Sequence, residues 1–240
     1  MALGESSRNN NEEGFYFGWN WNPGGRWRFS SYCDIFRFPW LRYRADAPTY
    51  GRDVMLRADY LPSRNTKIYF QARYKEKEEN AAEPLVGDVT SVQTSSAKMV
   101  FSYRVIEGCG IGNHLELKNY RKESVSSNGY FIAQDAYFTF NAFRYPLRIT
   151  LRYAIFDTDD YDSRIYSYEN DMLYAFSIPA FYDRGTRLYL LLKYSLGKHF
   201  DLRFKYATTN YTDRDVISSG LNEIRGNRNS EIKLQAVCKF

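Results

Sequence analysis

Apolar and polar residues alternate strictly through the last eleven residues of the chain, from Ser230 to Phe240. One parity is apolar and consists of Ile232, Leu234, Ala236, Cys238 and Phe240. The other parity carries Glu231, Lys233, Gln235 and Lys239. A period of two is typical of a strand with one apolar and one polar face. The pattern therefore predicts a two-faced β-strand at the end of the chain.

The same alternation recurs from about residue 13 onward. It predicts strands of about ten residues joined by short turns, such as Asn22–Gly25, that alternate with longer loops at 39–50, 76–95, 124–128, 157–186 and 208–229. Short turns at one end and long loops at the other are typical of outer-membrane barrels. A soluble β-sandwich also has many short strands, but it seldom sustains so many ten-residue ones. We therefore predict an all-β fold, an antiparallel up-and-down transmembrane β-barrel of about twelve to thirteen strands.

The alternation fails at 157–186, and two interpretations stay open there. The stretch contains either one additional crossing or a segment folded into the barrel lumen. With the crossing, the count is about thirteen, and the first and last strands run in the same direction. They would not pair antiparallel, so we expect an incomplete barrel with strands missing upstream. Residues 1–12 are expected to be disordered or a linker remnant, and 13–240 to form the barrel region.

Composition supports this interpretation. Aromatic residues make up 18% of the 240 residues, yet the mean hydropathy is −0.57. These values coexist in barrels that carry aromatic girdles outside and a polar interior. The longest apolar run, 188–192, has five residues, whereas a membrane helix needs about 18. The N-terminus shows no export signal, so we expect the chain to be the C-terminal piece of a longer exported protein.

The polar parity of the predicted strands carries more basic than acidic residues. Charges are costly in hydrocarbon, so these side chains are expected to face the lumen. Six of them form the predicted basic wall: Arg57, Arg73, Lys98, Arg104, Arg203 and Lys205. Two interpretations follow: an open, porin-like lumen that admits anions, or an interior filled by ion pairs, with an acidic plug from upstream.

Candidate chemistry is sparse. Both histidines, His114 and His199, are assigned to periplasmic turns, away from the external rim where a hydrolase would need them. The acidic run Asp157–Asp162 lacks the glycine and distal glutamate of a calcium loop. Three cysteines have no metal spacing and are odd in number. The net charge of +5 is weak evidence for a nucleic-acid partner. We therefore predict no enzyme, no metal and no cofactor.

Two resemblances add to this interpretation. The last strand resembles the closing strand of bacterial outer-membrane barrels, in which a terminal aromatic residue is an assembly signal; that role falls on Phe240. The stretches 37–48, 162–179 and 219–227 resemble the C-terminal barrel region of Bacteroidetes-type outer-membrane proteins that carry helix-hairpin-helix repeats upstream.

The resemblance implies an outer-membrane location, with membrane lipid and the barrel-assembly machinery as partners. The repeats are absent here, so no nucleic-acid partner is expected from this region. Two other functions remain open: a soluble β-sandwich or jelly-roll module that binds carbohydrate, and an outer-membrane hydrolase.

Overall fold

A computed structural model of the chain describes residues 11–82, 87–141, 144–197 and 199–238. The elements are β1 (Glu13–Trp21), β2 (Trp27–Phe38), β3 (Thr49–Ser63), β4 (Thr66–Asn80), β5 (Val89–Ile106), β6 (Cys109–Lys122), β7 (Val125–Phe140), β8 (Leu147–Thr158), β9 (Ile165–Tyr166), β10 (Ala180–Phe181), β11 (Arg184–Leu196), β12 (Phe200–Tyr211), β13 (Val216–Ile217), a 3₁₀ turn (Gly220–Asn222), β14 (Ile224–Arg225) and β15 (Arg228–Cys238).

Eleven of these strands form one sheet in the order β1-β2-β3-β4-β5-β6-β7-β8-β11-β12-β15. Every neighbouring pair is antiparallel. The predicted up-and-down, all-β fold is confirmed. Within the described residues the sheet is not closed, and β1 and β15 are its two edges. Apart from this sheet, the described residues form only the two-stranded pairs β9–β10 and β13–β14, so the β-sandwich alternative does not describe the fold.

The strand register divides the sheet into two faces. Directly paired residues point to the same side, so the register from β1 to β15 follows each face across all eleven strands. One face, here called the outer face, carries Leu56, Phe70, Phe101, Leu151, Leu190, Phe204 and Leu234. The opposite, inner face carries most of the charged side chains of the strands.

Residues 159–183, between β8 and β11, fold back against the inner face and are called the inner segment. This segment contains the small β9–β10 pair, and β8 and β11 are direct neighbours in the sheet. Of the two alternatives for 157–186, the structure shows the folded-in segment. The inner segment adds no crossing, and the sheet has eleven strands, fewer than the predicted twelve to thirteen.

A small apolar core holds the start and end of the inner segment to the sheet. It consists of Phe131, Ala133, Ala154, Phe156, Ile165, Phe181, Tyr211 and Ile217. The Phe181 ring packs on Phe131 and Phe156, with centroid distances of 4.6 and 5.3 Å. The inner face therefore carries a buried apolar cluster at the long-loop end of the sheet.

Several connections are shorter than predicted. The loop expected at 76–95 shrinks to the residues between Asn80 and Val89, and most of the serine-rich stretch 124–128 belongs to β7. Apolar and polar residues alternate little at these strand ends. Backbone hydrogen bonds to the neighbouring strand hold them, and these bonds do not require one face of the strand to be apolar. The long connections nevertheless lie at one end of the sheet, as predicted, although that end also carries the two-residue turn Glu123–Ser124 between β6 and β7.

No helix of the described residues is long and apolar enough to cross a membrane. β1 begins at Glu13, and most of the predicted linker at 1–12 lies outside the described residues. Phe240, the predicted assembly signal, also lies outside them.

Candidate functional site on the inner face

All six residues of the basic wall lie on the inner face. Three of them are neutralised by carboxylates of the sheet itself. Arg57 donates two hydrogen bonds to Asp59, of 2.8 and 2.9 Å. Lys98 pairs with Glu116 at 2.8 Å. Arg73 donates two hydrogen bonds to Asp53, the one from Nε being 2.9 Å long.

Lys205 is neutralised differently, by two carboxylates of the inner segment. Its Nζ is fully buried and lies 3.1 Å from Asp171 Oδ2 and 3.6 Å from Glu169 Oε2. It also faces the Tyr189 ring, 5.2 Å from the centroid. The chain therefore supplies from its own residues 169 and 171 the acidic charge that the sequence interpretation expected from an upstream plug.

Glu169 and Asp171 bind two further cations of the sheet. Arg187 donates hydrogen bonds of 2.7 and 2.9 Å to the two oxygens of Glu169. Lys233 donates one of 2.9 Å to Asp171. Burial alone would raise the pKa of the Asp171 carboxyl, but hydrogen bonds from Lys233, the Met172 amide and Lys205 outweigh it and lower the pKa.

His114 lies within β6 on the inner face, so its assignment to a periplasmic turn is wrong. Its Nε2 is 3.1 Å from Glu116 Oε2, and its Nδ1 is 3.2 Å from the Ser167 hydroxyl of the inner segment. This order of partners is that of a nucleophile–base–acid relay. However, the Ser167 side chain is only 2% exposed, and Arg152 Nη1 approaches its oxygen at 3.3 Å. No substrate reaches Ser167 in this arrangement, and the three residues join the segment to the sheet.

Other contacts hold the backbone of the inner segment. Arg152 is fixed by two hydrogen bonds to Asp135, of 2.6 and 2.8 Å, and donates another of 2.5 Å to the Tyr168 carbonyl. Lys118 donates to the carbonyls of Asp162 and Arg164. The Gln235 amide accepts from the Leu173 amide at 2.8 Å and donates to the Leu173 carbonyl at 3.0 Å. Residues 162–173 of the segment are therefore held by side chains from several strands.

The role of Glu169 and Asp171 was not predicted from the sequence, although a signal was present. Residues 165–171 alternate between buried and exposed positions, and the buried ones are Ile165, Ser167, Glu169 and Asp171. Two carboxylates with the parity of an apolar residue indicate an acidic face. Only the structure shows that this face meets Arg187, Lys205 and Lys233.

The acidic run 157–162 is used for local structure. Asp157 pairs with Arg184 at 2.7 Å. Asp160 accepts hydrogen bonds from the amides of Asp162 and Ser163, of 2.9 and 3.0 Å. Burial raises and these bonds lower the pKa of Asp160, with a net lowering. Within the described residues, no group of three or more His, Cys, Asp or Glu side chains could hold a metal ion.

Two residues of the basic wall remain without a carboxylate partner among the described residues. Arg104 is exposed near the β5–β6 turn. Arg203 lies opposite Lys193, which in turn lies opposite Arg148. The described residues form no ion pair with any of these four cations. All four lie toward the short-turn end, beyond the part of the inner face that Glu169 and Asp171 neutralise.

The outer face carries an apolar belt with no charged residue in the described strands. On β8 the belt runs from Leu147 to Ile155, which is about 27 Å along the strand at roughly 3.4 Å per residue. With a strand tilt of about 40°, its height is roughly 20 Å, close to the band of an outer-membrane barrel. Aromatic rings stack at its short-turn edge, where Trp27 lies 5.8 Å from Phe29 and 4.5 Å from Tyr60.

Beyond the belt, toward the long loops, outward positions become charged. Ion pairs join neighbouring strands there: Glu13 with Arg37, Arg52 with Glu76, and Asp157 with Arg184, each with a contact of 2.7 Å. The outer face thus changes from apolar to charged at a similar height on several strands.

No protein-family model matches the sequence, and no curated protein matches it. Among solved structures, the chain is similar to the ferric-catecholate import receptor Fiu from E. coli K12. The alignment with the open form has a TM-score of 0.52 at 9% identity, and it covers 95% of this chain and 51% of the receptor chain. The alignment with the closed form has a TM-score of 0.54 at 9% identity, and it covers 96% of this chain and 47% of the receptor chain.

The chain therefore spans about half the length of the receptor that it matches. At this identity the likeness shows the fold alone. The fold is that of an incomplete up-and-down β-barrel.

Proposed function

We propose that the chain is part of an integral outer-membrane β-barrel with a structural or transport-related role, and that its inner segment occupies the lumen. The observation that carries the proposal is the contrast between the faces: an exposed, uncharged apolar belt outside and paired charges inside. A soluble protein of this size would bury such a belt. In a membrane the belt meets lipid, and the charges face water or each other.

The inner segment favours an occluded lumen over a wide, porin-like one. Glu169 and Asp171 neutralise Arg187, Lys205 and Lys233, and the segment contacts inner-face side chains of strands from β6 to β15. The plug expected from upstream is thus supplied, at least for this part of the wall, by residues 159–183. Anion passage is then restricted to the part of the lumen that the segment leaves free.

Closure of the barrel requires more strands than this chain provides. An antiparallel meander of eleven strands leaves β1 and β15 pointing the same way, so an odd number of further strands must join them. We propose that these strands belong to the same protein. Membrane lipid and the barrel-assembly machinery are the other proposed partners, and no nucleic-acid partner is proposed for this region. We propose no catalytic role, because His114 and Ser167 are buried in the wall.

Two substitutions on adjacent residues of β4 test the membrane assignment. Ala72 lies on the outer face within the belt, whereas Gln71 lies on the inner face between Arg57 and Lys98. Ala72→Glu places a charge in lipid and should reduce the inserted fraction of the protein, because charges are costly there. Gln71→Glu introduces the same charge beside two cations and should leave insertion unchanged.

Insertion is measured as the fraction that requires detergent for extraction and that shifts in mobility on unboiled gels. Extraction of the unmodified protein in buffer alone would overturn the proposal. So would equal effects of the two substitutions.

A further inference from the structure

Three cations stand in register on the inner face, beyond the tip of the inner segment. Arg148 on β8 is directly opposite Lys193 on β11, and Lys193 is directly opposite Arg203 on β12. Directly paired residues of antiparallel strands have Cα atoms about 4.5–5.5 Å apart. The three side chains, called the basic triad, therefore concentrate three positive charges across roughly 10 Å of sheet.

Nothing in the described part of the chain neutralises the basic triad. Arg148 lies over the Tyr137 ring, 5.1 Å from its centroid, and no described carboxylate forms an ion pair with any of the three. Three acidic groups lie nearby: Asp171 pairs with Lys205 and Lys233, Asp135 pairs with Arg152, and the buried Asp201 lies two residues from Arg203 on the same face of β12. Like charges at this spacing repel each other unless an anion lies between them.

A second observation concerns Arg203. Its Nε is buried and has no hydrogen-bond acceptor among the described residues. A buried donor without an acceptor is destabilising, and a guanidinium in this state is a ready partner for an oxyanion. The other five cations of the basic wall differ, since four are ion-paired and Arg104 is exposed.

The triad also lines a cavity of suitable size. The cavity of about 380 Å³ lies between the sheet and residues 168–175 of the inner segment. Beside the three cations it is lined by Thr150, Tyr168 and Asn170, whose hydroxyl and amide groups are hydrogen-bond donors. Asp171 also lines it, and its carboxylate is already paired with Lys205 and Lys233. Two guanidinium forks, an ammonium and neutral donors suit a compact tetrahedral oxyanion better than a halide ion, because the forks bind pairs of oxygens.

We propose that Arg148, Lys193 and Arg203 form a binding site for a phosphate-type oxyanion at the short-turn end of the inner face. The inference rests on the proposed function in one respect, since the lumen is the aqueous route by which the anion enters. The cations of the inner face then fall into two groups. The inner segment neutralises Arg187, Lys205 and Lys233, and a diffusible anion neutralises the basic triad.

The test is a titration of the purified protein in detergent with inorganic phosphate, followed by calorimetry. Phosphate should bind at one site, and Arg148→Gln or Arg203→Gln should weaken binding at least tenfold. Arg57→Gln is the matched control, because it removes an inner-face guanidinium that Asp59 already neutralises. It should change the affinity less than twofold. Replacement of phosphate by chloride at equal ionic strength should not reproduce the binding.

Absence of phosphate binding by the unmodified protein would overturn the proposal, as would an equal loss of affinity in Arg57→Gln and Arg203→Gln. Each sample is also checked for the gel mobility shift of a folded barrel. A protein that keeps this shift but does not bind phosphate contradicts the anion site alone, whereas loss of the shift and solubility in buffer contradict the proposed barrel.

Discussion

Arg187 on β11 holds Glu169 of the inner segment through two parallel hydrogen bonds, and the Glu169 side chain is completely buried. A buried carboxylate is stable only when its oxygens are paired, and here Lys205 adds a second positive charge from β12. The position of the inner segment is therefore set by charge as much as by apolar contact. This arrangement turns one connection between strands into an element of the interior.

Glu169→Gln should release the inner segment. The substitution keeps the shape of the side chain but leaves Arg187 and Lys205 partly uncompensated, and loss of one partner of a buried pair costs about 3–5 kcal/mol. Trypsin cleavage after Arg164 should become faster by roughly 100- to 4,000-fold, since each 1.4 kcal/mol is a factor of ten in the open population.

The exposed pair of Glu13 and Arg37 supplies the control for this measurement. Both side chains are more than half exposed, so Glu13→Gln should cost at most about 1 kcal/mol. It should leave cleavage after Arg164 unchanged. Similar cleavage of the Glu169→Gln variant and the unmodified protein would show that the ion pair does not hold the segment.

Docking of the inner segment should also depend on acid pH. The pKa of Asp171 is lowered in the folded protein, so its contribution to stability is complete above the unfolded value of about 3.9 and is lost as the pH falls through the folded pKa. Hydrogen exchange in residues 169–173, corrected for intrinsic rates, should remain constant from pH 7 to 5 and rise below about pH 4. Asp171→Asn should weaken docking at neutral pH. It should also remove the part of the rise in exchange below about pH 4 that protonation of Asp171 causes. An opening step between pH 7 and 5 would contradict this assignment.

The two faces of the sheet could be predicted from the sequence, whereas the inner segment could not. Leu234 and Leu151 follow a strict period of two because lipid or another apolar surface must meet one side of each strand. In the inner segment the alternation is limited to residues 165–171, and it does not show which strands this stretch contacts. Asp171 meets Lys233 from 62 residues away, and His114 meets Ser167 across 53 residues. Such pairs depend on which strands become neighbours and on where the inner segment lies, and the alternation of apolar and polar residues predicts neither.

Strand lengths outside the belt were unpredictable for a different reason. The run Lys75–Glu79 has the composition of a solvated loop, but it continues β4, where Lys77 pairs with Glu79 at 2.6 Å. Backbone pairing with β5 extends through this region to Asn80. A strand that projects beyond the lipid needs no apolar face, so the sequence carries no sign of it.

Gly129 should be required for close packing of the inner segment. A Cβ at this position would lie 2.6 Å from the Ser163 carbonyl oxygen and 2.9 Å from Thr158 Cγ2. Because the nearer atom belongs to the backbone, the segment would have to move, at a cost of about 1–3 kcal/mol. Gly129→Ala should accelerate cleavage after Arg164. Gly18→Ala is the control, since its Cβ would meet only the ring of the exposed Tyr16. Equal cleavage rates in the two variants would contradict the packing argument.

Deletion of Phe240 should impair assembly without weakening the assembled protein. This expectation rests on the resemblance of the last strand to the closing strands of outer-membrane barrels. The inserted fraction in cells should fall, while the thermal unfolding temperature of the fraction that does insert should stay the same. Cys238→Ala, on the same parity of the strand, serves as the control for a change near the terminus. Undiminished insertion after the deletion would remove the role assigned to Phe240.

Release of the inner segment should open an anion-preferring path through the lumen. Glu169→Gln together with Asp171→Asn removes the two negative charges that neutralise Arg187, Lys205 and Lys233, so the freed inner face becomes more basic. A pore lined by an excess of cations favours anions. In planar-bilayer recordings, the complete barrel that contains this chain should conduct little, and the double variant should show a larger current with a reversal potential shifted toward anions.

Arg57→Glu and Arg203→Glu distinguish a specific path from general loosening of the barrel. Placed in the double variant, both should reduce its preference for anions, because they reverse charges on the wall that the ions pass. Arg203→Glu should have the larger effect, since Arg203 lacks a carboxylate partner among the described residues whereas Arg57 is paired with Asp59. Two results would mean that the ions pass along a route away from the basic wall. One is a cation-selective current in the Glu169→Gln, Asp171→Asn variant. The other is an anion preference that neither wall substitution changes.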